Sequence, residues 1–263
     1  MRTLLRREIL RFFRQRSRMI AVIASPILFW VVIGSGLNRS FLYPGGPEGI
    51  TYLEYFYPGT LILIVLFAAI FSSISVIEDR REGFLQSVLV SPISRLSIVL
   101  GKVSGITILA AVQGSVLLLA SPFVIPGIAP GSILLAMVIL VVVAFGLSSL
   151  GFLIAWSMDS TQGFHAIMNL VLVPMWLLSG ALFPTTGSAS WIAALMTWNP
   201  LMYGVAATRK ALYGLSPDVG SELPGFGLSV IVLILSSICA VLLASRRVQM
   251  RTKSAPVADG GTS

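Results

Sequence analysis

Long apolar runs alternate with short polar breaks along the 263 residues. Six of these runs cover about 19–37, 58–77, 96–121, 132–157, 164–182 and 225–245. Each is close to the ~20 residues that a helix needs to cross a ~30 Å hydrocarbon core. The pattern predicts an all-α polytopic membrane protein with six transmembrane helices. Pro58 suits the first turn of the second span. Two further apolar runs, 191–196 and 205–215, are too short to cross. Residues 183–224 are therefore expected to form two short helices that enter the outer leaflet and return, with irregular backbone buried in protein. The chain reads as one membrane domain, 1–245, followed by a Gly/Ser/Ala-rich tail, 246–263, expected to be disordered.

Two polar stretches break the pattern. At the start, residues 1–18 carry Arg2, Arg6, Arg7, Arg11, Arg14, Arg16 and Arg18. Leu4, Leu5, Ile9, Phe12 and Phe13 interleave with them at helical spacing, which predicts an amphipathic interfacial helix on a surface of anionic lipid. The second stretch is 78–102, with Glu78, Asp79, Arg80, Arg81 and Glu82 in a row. Such a cluster cannot stay in hydrocarbon and marks a membrane surface. Phe84, Leu85, Val88 and Leu89 follow at helical spacing, and Pro92 then ends the helix or turns the chain. Gly83 permits close backbone approach. A short surface helix over 78–95 and a plain interfacial loop both fit this pattern.

Composition narrows the class. Apolar residues make up 56% and charged residues 11%, against roughly one quarter charged in soluble chains. Mean hydropathy is +0.93. The net charge of +8 lies on residues flanking apolar runs, so no nucleic-acid partner is indicated. With an inside N-terminus, fifteen basic residues fall on inner segments and three on outer ones, which predicts both termini cytoplasmic. The basic start followed by an apolar run resembles a signal peptide, but the run is too long for one and reads as an uncleaved span. Lys102, near an inner helix end, is expected to snorkel to headgroups.

Candidate chemistry is sparse. One cysteine, Cys239, supports no disulfide framework and no Cys/His metal cluster. No Walker A sequence, His-Glu-x-x-His pair or Gly-x-Ser-x-Gly elbow occurs. The only histidine, His165, reads as interfacial. Gln113 and Asn169 lie inside spans, where they line a path or bond between helices. Tyr52, Tyr55, Phe56 and Tyr57 read as an aromatic belt at the far interface, with Glu54 beside them as a loop acid or gate. Tyr55, Tyr57, Gln113 and Asn169 are the candidate pathway residues. A channel filter, mid-membrane ionisable groups and an internal repeat are not evident, which disfavours a self-sufficient channel or secondary carrier. A structural subunit of another assembly would not need the charged segment.

The run Asp79-Arg80-Arg81-Glu82-Gly83-Phe84-Leu85, with Leu89-Val90-Ser91-Pro92-Ile93-Ser94-Arg95 and Val99-Leu100-Gly101-Lys102, resembles the coupling segment of permease subunits of type-2 ABC (ATP-binding-cassette) exporters. That family places an acid directly after the first Arg, where this chain has Arg81. Leu178-Ser179-Gly180-Ala181-Leu182-Phe183-Pro184 and Asn199-Pro200-Leu201 are similar to the same class, which has a re-entrant outer helical pair before its last span. The resemblance implies a non-catalytic half-transporter in a prokaryotic plasma or inner membrane. Its implied partners are a second permease, identical or related, membrane lipids and a cytoplasmic ATPase that binds ATP and magnesium. It assigns coupling to Asp79, Arg80, Arg81, Glu82, Gly83, Phe84, Leu85, Leu89, Pro92 and Arg95. It assigns packing on the ATPase to the interfacial helix with Arg6, Arg7, Arg11 and Arg14. Export of a drug-like, lipid-like, lipid-linked or polymeric sugar cargo is the expected activity.

Overall fold

A computed structural model describes residues 16–41, 50–83, 94–186, 188–214 and 222–253. It is all-helical over these residues. The helices are α1 Arg16–Leu37, α2 Tyr52–Arg81, α3 Arg95–Leu118, α4 Pro130–Ser157, α5 Thr161–Leu177, α6 Ser190–Trp198, α7 Pro200–Tyr213 and α8 Phe226–Lys253, with one extra turn at Ser121–Val124. Five of them, α1 to α4 and α8, are long and apolar enough to cross a membrane. At 17 residues, α5 spans ~26 Å. It stops before the expected 182 because Gly180, at φ +77°, turns the chain just beyond it. α6 and α7 reach only ~14 and ~21 Å.

The core is α2, α3 and α4, each packed on the other two. α8 packs on α4 and α3, α7 wedges between α4 and α8, and α1 packs on α2. Water exclusion drives no association between helices in lipid, so close packing must hold the bundle. Small residues provide it: a methyl group at Gly114 would meet Val65, at Gly151 it would meet Ser73, and at Gly146 it would meet Ser237. α2 is buried along nearly its whole length, whereas α1 and α8 are mostly exposed.

The first turn of α2 differs from the sequence expectation. The helix starts at Tyr52, because Thr51 and Glu54 form a reciprocal capping box. Glu54 is thus a capping residue, with its carboxylate accepting from the Thr51 amide at 2.8 Å. Pro58 falls inside the helix and leaves the Glu54 carbonyl without its helical donor. The Tyr213 hydroxyl donates to that carbonyl at 2.6 Å. The aromatic cluster is likewise internal. Tyr52, Tyr55, Phe56 and Tyr57 are buried. Tyr57 donates to Leu117 O at 2.6 Å, a carbonyl in the last turn of α3 that also accepts from the Ala120 amide. At the other end of the chain, α8 continues through Arg246 and Arg247 to Lys253, past the expected tail boundary. Those residues are good helix formers, and no proline intervenes before Pro256.

Candidate functional site

The charged end of α2 is built by three neighbours. Asp79 points inward and accepts from Lys102 Nζ of α3, and both side chains are fully buried. Lys102 therefore does not snorkel; its partner lies inside the bundle. A lone charge there would be untenable, and the opposite charge with a hydrogen bond is what makes the burial bearable. Neighbouring Arg80 turns to the α4–α5 connection. Its guanidinium donates to the carbonyls of Trp156 and Met158 and meets Asp159 Oδ1 at 2.7 Å. Arg81 Nε donates to Asp159 O at 2.9 Å. One helix end thus holds α3 by its acid and the last turn of α4 with its following loop by its two arginines.

The helix then stops. Gly83 has φ +75°, a conformation that side chains other than glycine's rarely adopt, and its amide donates to Arg80 O at 3.3 Å. A methyl group there would meet nothing among the described residues, so the glycine serves the backbone turn and not a close approach. The chain is described again at Ser94, which caps α3 by accepting from the Ser97 amide at 3.2 Å. Arg95 follows as the first residue of α3. The expected coupling positions Phe84, Leu85, Leu89 and Pro92 lie outside the described residues. So do Arg6, Arg7, Arg11 and Arg14 of the expected interfacial helix, whose last residues, 16–18, are instead the first turn of α1.

The candidate pathway residues do not gather. Tyr55 and Tyr57 lie in the core. Gln113 is buried and donates to Leu109 O at 3.1 Å. Its Oε1 has no hydrogen-bond partner among the described residues. Asn169 is exposed on α5. His165 lies half-buried against Phe71, with ring centres 5.6 Å apart. An open cleft of about 420 Å³ lies elsewhere, between α1, α2 and α5, lined by Pro26, Phe29, Val32, Leu63, Phe67 and Trp176. Two of its lining rings, Phe29 and Trp176, have centres 5.9 Å apart, and each packs on buried Phe56 at 6.0 to 6.1 Å.

A second buried ionic centre, at the Tyr52 end, was not legible as such. Arg209 of α7 is 2% exposed. It donates to Tyr55 O at 3.1 Å and Gly180 O at 3.0 Å, and lies 3.4 Å from Glu222 Oε1. Its guanidinium carbon stands 4.1 Å from the Tyr55 ring centre. The signal was present in the spacing: Leu201, Val205, Arg209 and Leu212 share one helix face, so the arginine stands in an apolar stripe. Nothing in the sequence pairs it with Glu222.

Residues 1–213 match the ABC-2 type transporter family. The chain is 28% identical over 250 residues to a putative transport permease, ycf38, of Cyanophora paradoxa, covering 91% of this chain and 86% of that one. It is 30% identical over 164 residues to the probable multidrug ABC transporter permease YbhR of Escherichia coli K12, covering 61% and 44%. It is 23% identical over 238 residues to nodulation protein J of Rhizobium leguminosarum bv. viciae, covering 86% and 85%. An all-helical bundle with several membrane-crossing helices, matched over most of its length, belongs to the ABC-2 type transporter family of permeases.

Proposed function

We propose that this permease is one membrane half of an ATP-driven exporter. A second permease completes the pathway, and separate cytoplasmic ATPase subunits bind ATP and magnesium. The observation that carries the proposal is the clasp at the end of α2, which ties Asp79 and Arg80 to α3 and to the α4–α5 loop. Force applied to 82–94 by a soluble partner would reach three transmembrane helices through Asp79, Arg80 and Arg81. The basic start, the clasp and the basic end of α8 face the cytoplasm in this scheme. The α6–α7 pair then sits on the outer side and returns without crossing.

The apolar cleft between α1, α2 and α5 suits an amphipathic cargo, because a small ion would need coordinating oxygens or charges along its path. The names of the relatives range from multidrug transport to nodulation, so the cargo class rests on this lining. No step of ATP chemistry is assigned to this chain.

The test is reconstitution with a cognate ABC ATPase subunit. Phe84→Asp should leave the permease inserted while abolishing ATPase association and ATP-dependent export. Unchanged association and export would reduce 82–94 to an interfacial loop. Transport by the permease alone, driven by an ion gradient, would replace the proposal with a secondary carrier.

A further inference from the structure

α6 carries no charged residue. Its Trp191, Leu195 and Trp198 are 65%, 49% and 87% exposed. At spacings of four and three they share one face. The opposite face inserts Met196 into a cluster with Met202, Ala206 and Leu223. α6 is therefore two-sided and apolar on both sides.

Its depth follows from a chain of hydrogen bonds. α2, with 30 residues, is ~45 Å long, the thickness of a bilayer with its headgroups. Trp176 Nε1 donates to Gly59 O at 2.9 Å, which sets that part of α5 ~10 Å inward from Tyr52. Asn199, next to Trp198, donates to Leu178 O at 3.0 Å and to Met175 O in the same part of α5. Before α6, Thr185 donates to Glu222 O at 3.0 Å, beside Arg209 and so nearer the Tyr52 end. Trp198 is thus at the edge of the hydrocarbon or deeper, and Trp191 is shallower. The exposed surface continues into that of α8: Pro200 and Leu233 line one small pocket, and Leu228, Ile231, Ile234 and Leu235 are exposed beyond it.

We propose that α6 is a lipid-contacting arm of the permease. Trp198 meets phospholipid acyl chains, and Trp191 meets the boundary between chains and headgroups, where tryptophan is enriched. Bilayer lipid thereby fixes the depth of α6. Through Met196, Met202 and Ala206 it also fixes the depth of α7, which carries Arg209.

The test uses the full chain in phosphatidylcholine vesicles with bromine at a shallow or a deep acyl position. Trp191→Phe and Trp198→Phe remove exposed rings only. The emission lost in Trp198→Phe should be the part quenched by deep bromines, and that lost in Trp191→Phe the part quenched by shallow ones. Emission of Trp198 shielded from both bromine and acrylamide would mean a second copy of the chain covers the face. Quenching by acrylamide alone would mean that it faces water. Either result overturns the proposal. As a second measurement, a nitroxide at Leu195→Cys in a Cys239→Ser background should be more accessible to oxygen than to a water-soluble nickel chelate; the reverse ratio also overturns it.

Discussion

The two ends of α2 solve one problem in different media. At each end an arginine gathers one helix carbonyl and one carbonyl just beyond a helix end, and meets a carboxylate. At the Tyr52 end, Arg209 and Glu222 are 2% and 1% exposed. At the Arg81 end, Arg80 is 15% exposed and its partner Asp159 is 76% exposed. A desolvated arginine with fixed partners has one geometry, whereas an exposed carboxylate can exchange its arginine for water at small cost. The Tyr52 end is a lock and the Arg81 end an adjustable grip, with one buried pair, Asp79–Lys102, behind it.

Removing the lock should have the largest effect. Arg209→Ala takes the guanidinium away from the Glu222 carboxylate and from the Tyr55 and Gly180 carbonyls in the interior, at a cost of ~3–5 kcal/mol. Thermal unfolding in detergent should fall steeply, and Arg209→Lys should not rescue it, since a lysine cannot reproduce the forked contacts. An unchanged unfolding curve would show the end to be water-filled. The buried pair comes next. Lys102→Met should destabilise strongly, and the double change with Asp79→Leu should recover most of the loss, because a buried ion pair is often replaceable by apolar residues. Failure to recover, with export lost, would give the pair a role beyond stability.

Smaller effects probe the grip. Gly83→Ala forces a side chain into the left-handed region, costing ~1–2 kcal/mol, and should lower unfolding temperature modestly. Asp159→Asn should change stability by ~1 kcal/mol or less. If the grip transmits motion from the ATPase, it should still lower ATP-dependent export at unchanged expression and insertion. Equal export in both proteins would leave Arg80 with its carbonyl contacts as the whole connection.

The sequence made the long helices legible because lipid imposes length and apolarity together on each. It could not show α2 starting at Tyr52, because a capping box followed by an internal Pro58 reads locally as loop and then helix start. Hydropathy alone also cannot separate a tyrosine at a membrane surface from one buried in protein, so Tyr55 and Tyr57 looked interfacial. Asp79 was visible within its charged run and Lys102 within its helix, but their pairing depends on how α2 meets α3. The same holds for Arg209 and Glu222. Charge patterning finds which residues need partners, and only packing assigns them.

The order in which the helices pack has a consequence for biosynthesis. α1 leans on α2, α2 on α3, and α3 on α4, so each finds its neighbour as soon as the next segment leaves the ribosome and enters the bilayer. Such near-neighbour contacts close quickly. α8, which follows the other described helices in the chain, must return to α3 and α4 and cover α7. Until then the face of α4 bearing Gly146 has only lipid against it. A nascent chain delayed at that point would present a half-closed bundle, so docking of α8 is the step at which membrane quality control would distinguish finished permease from unfinished.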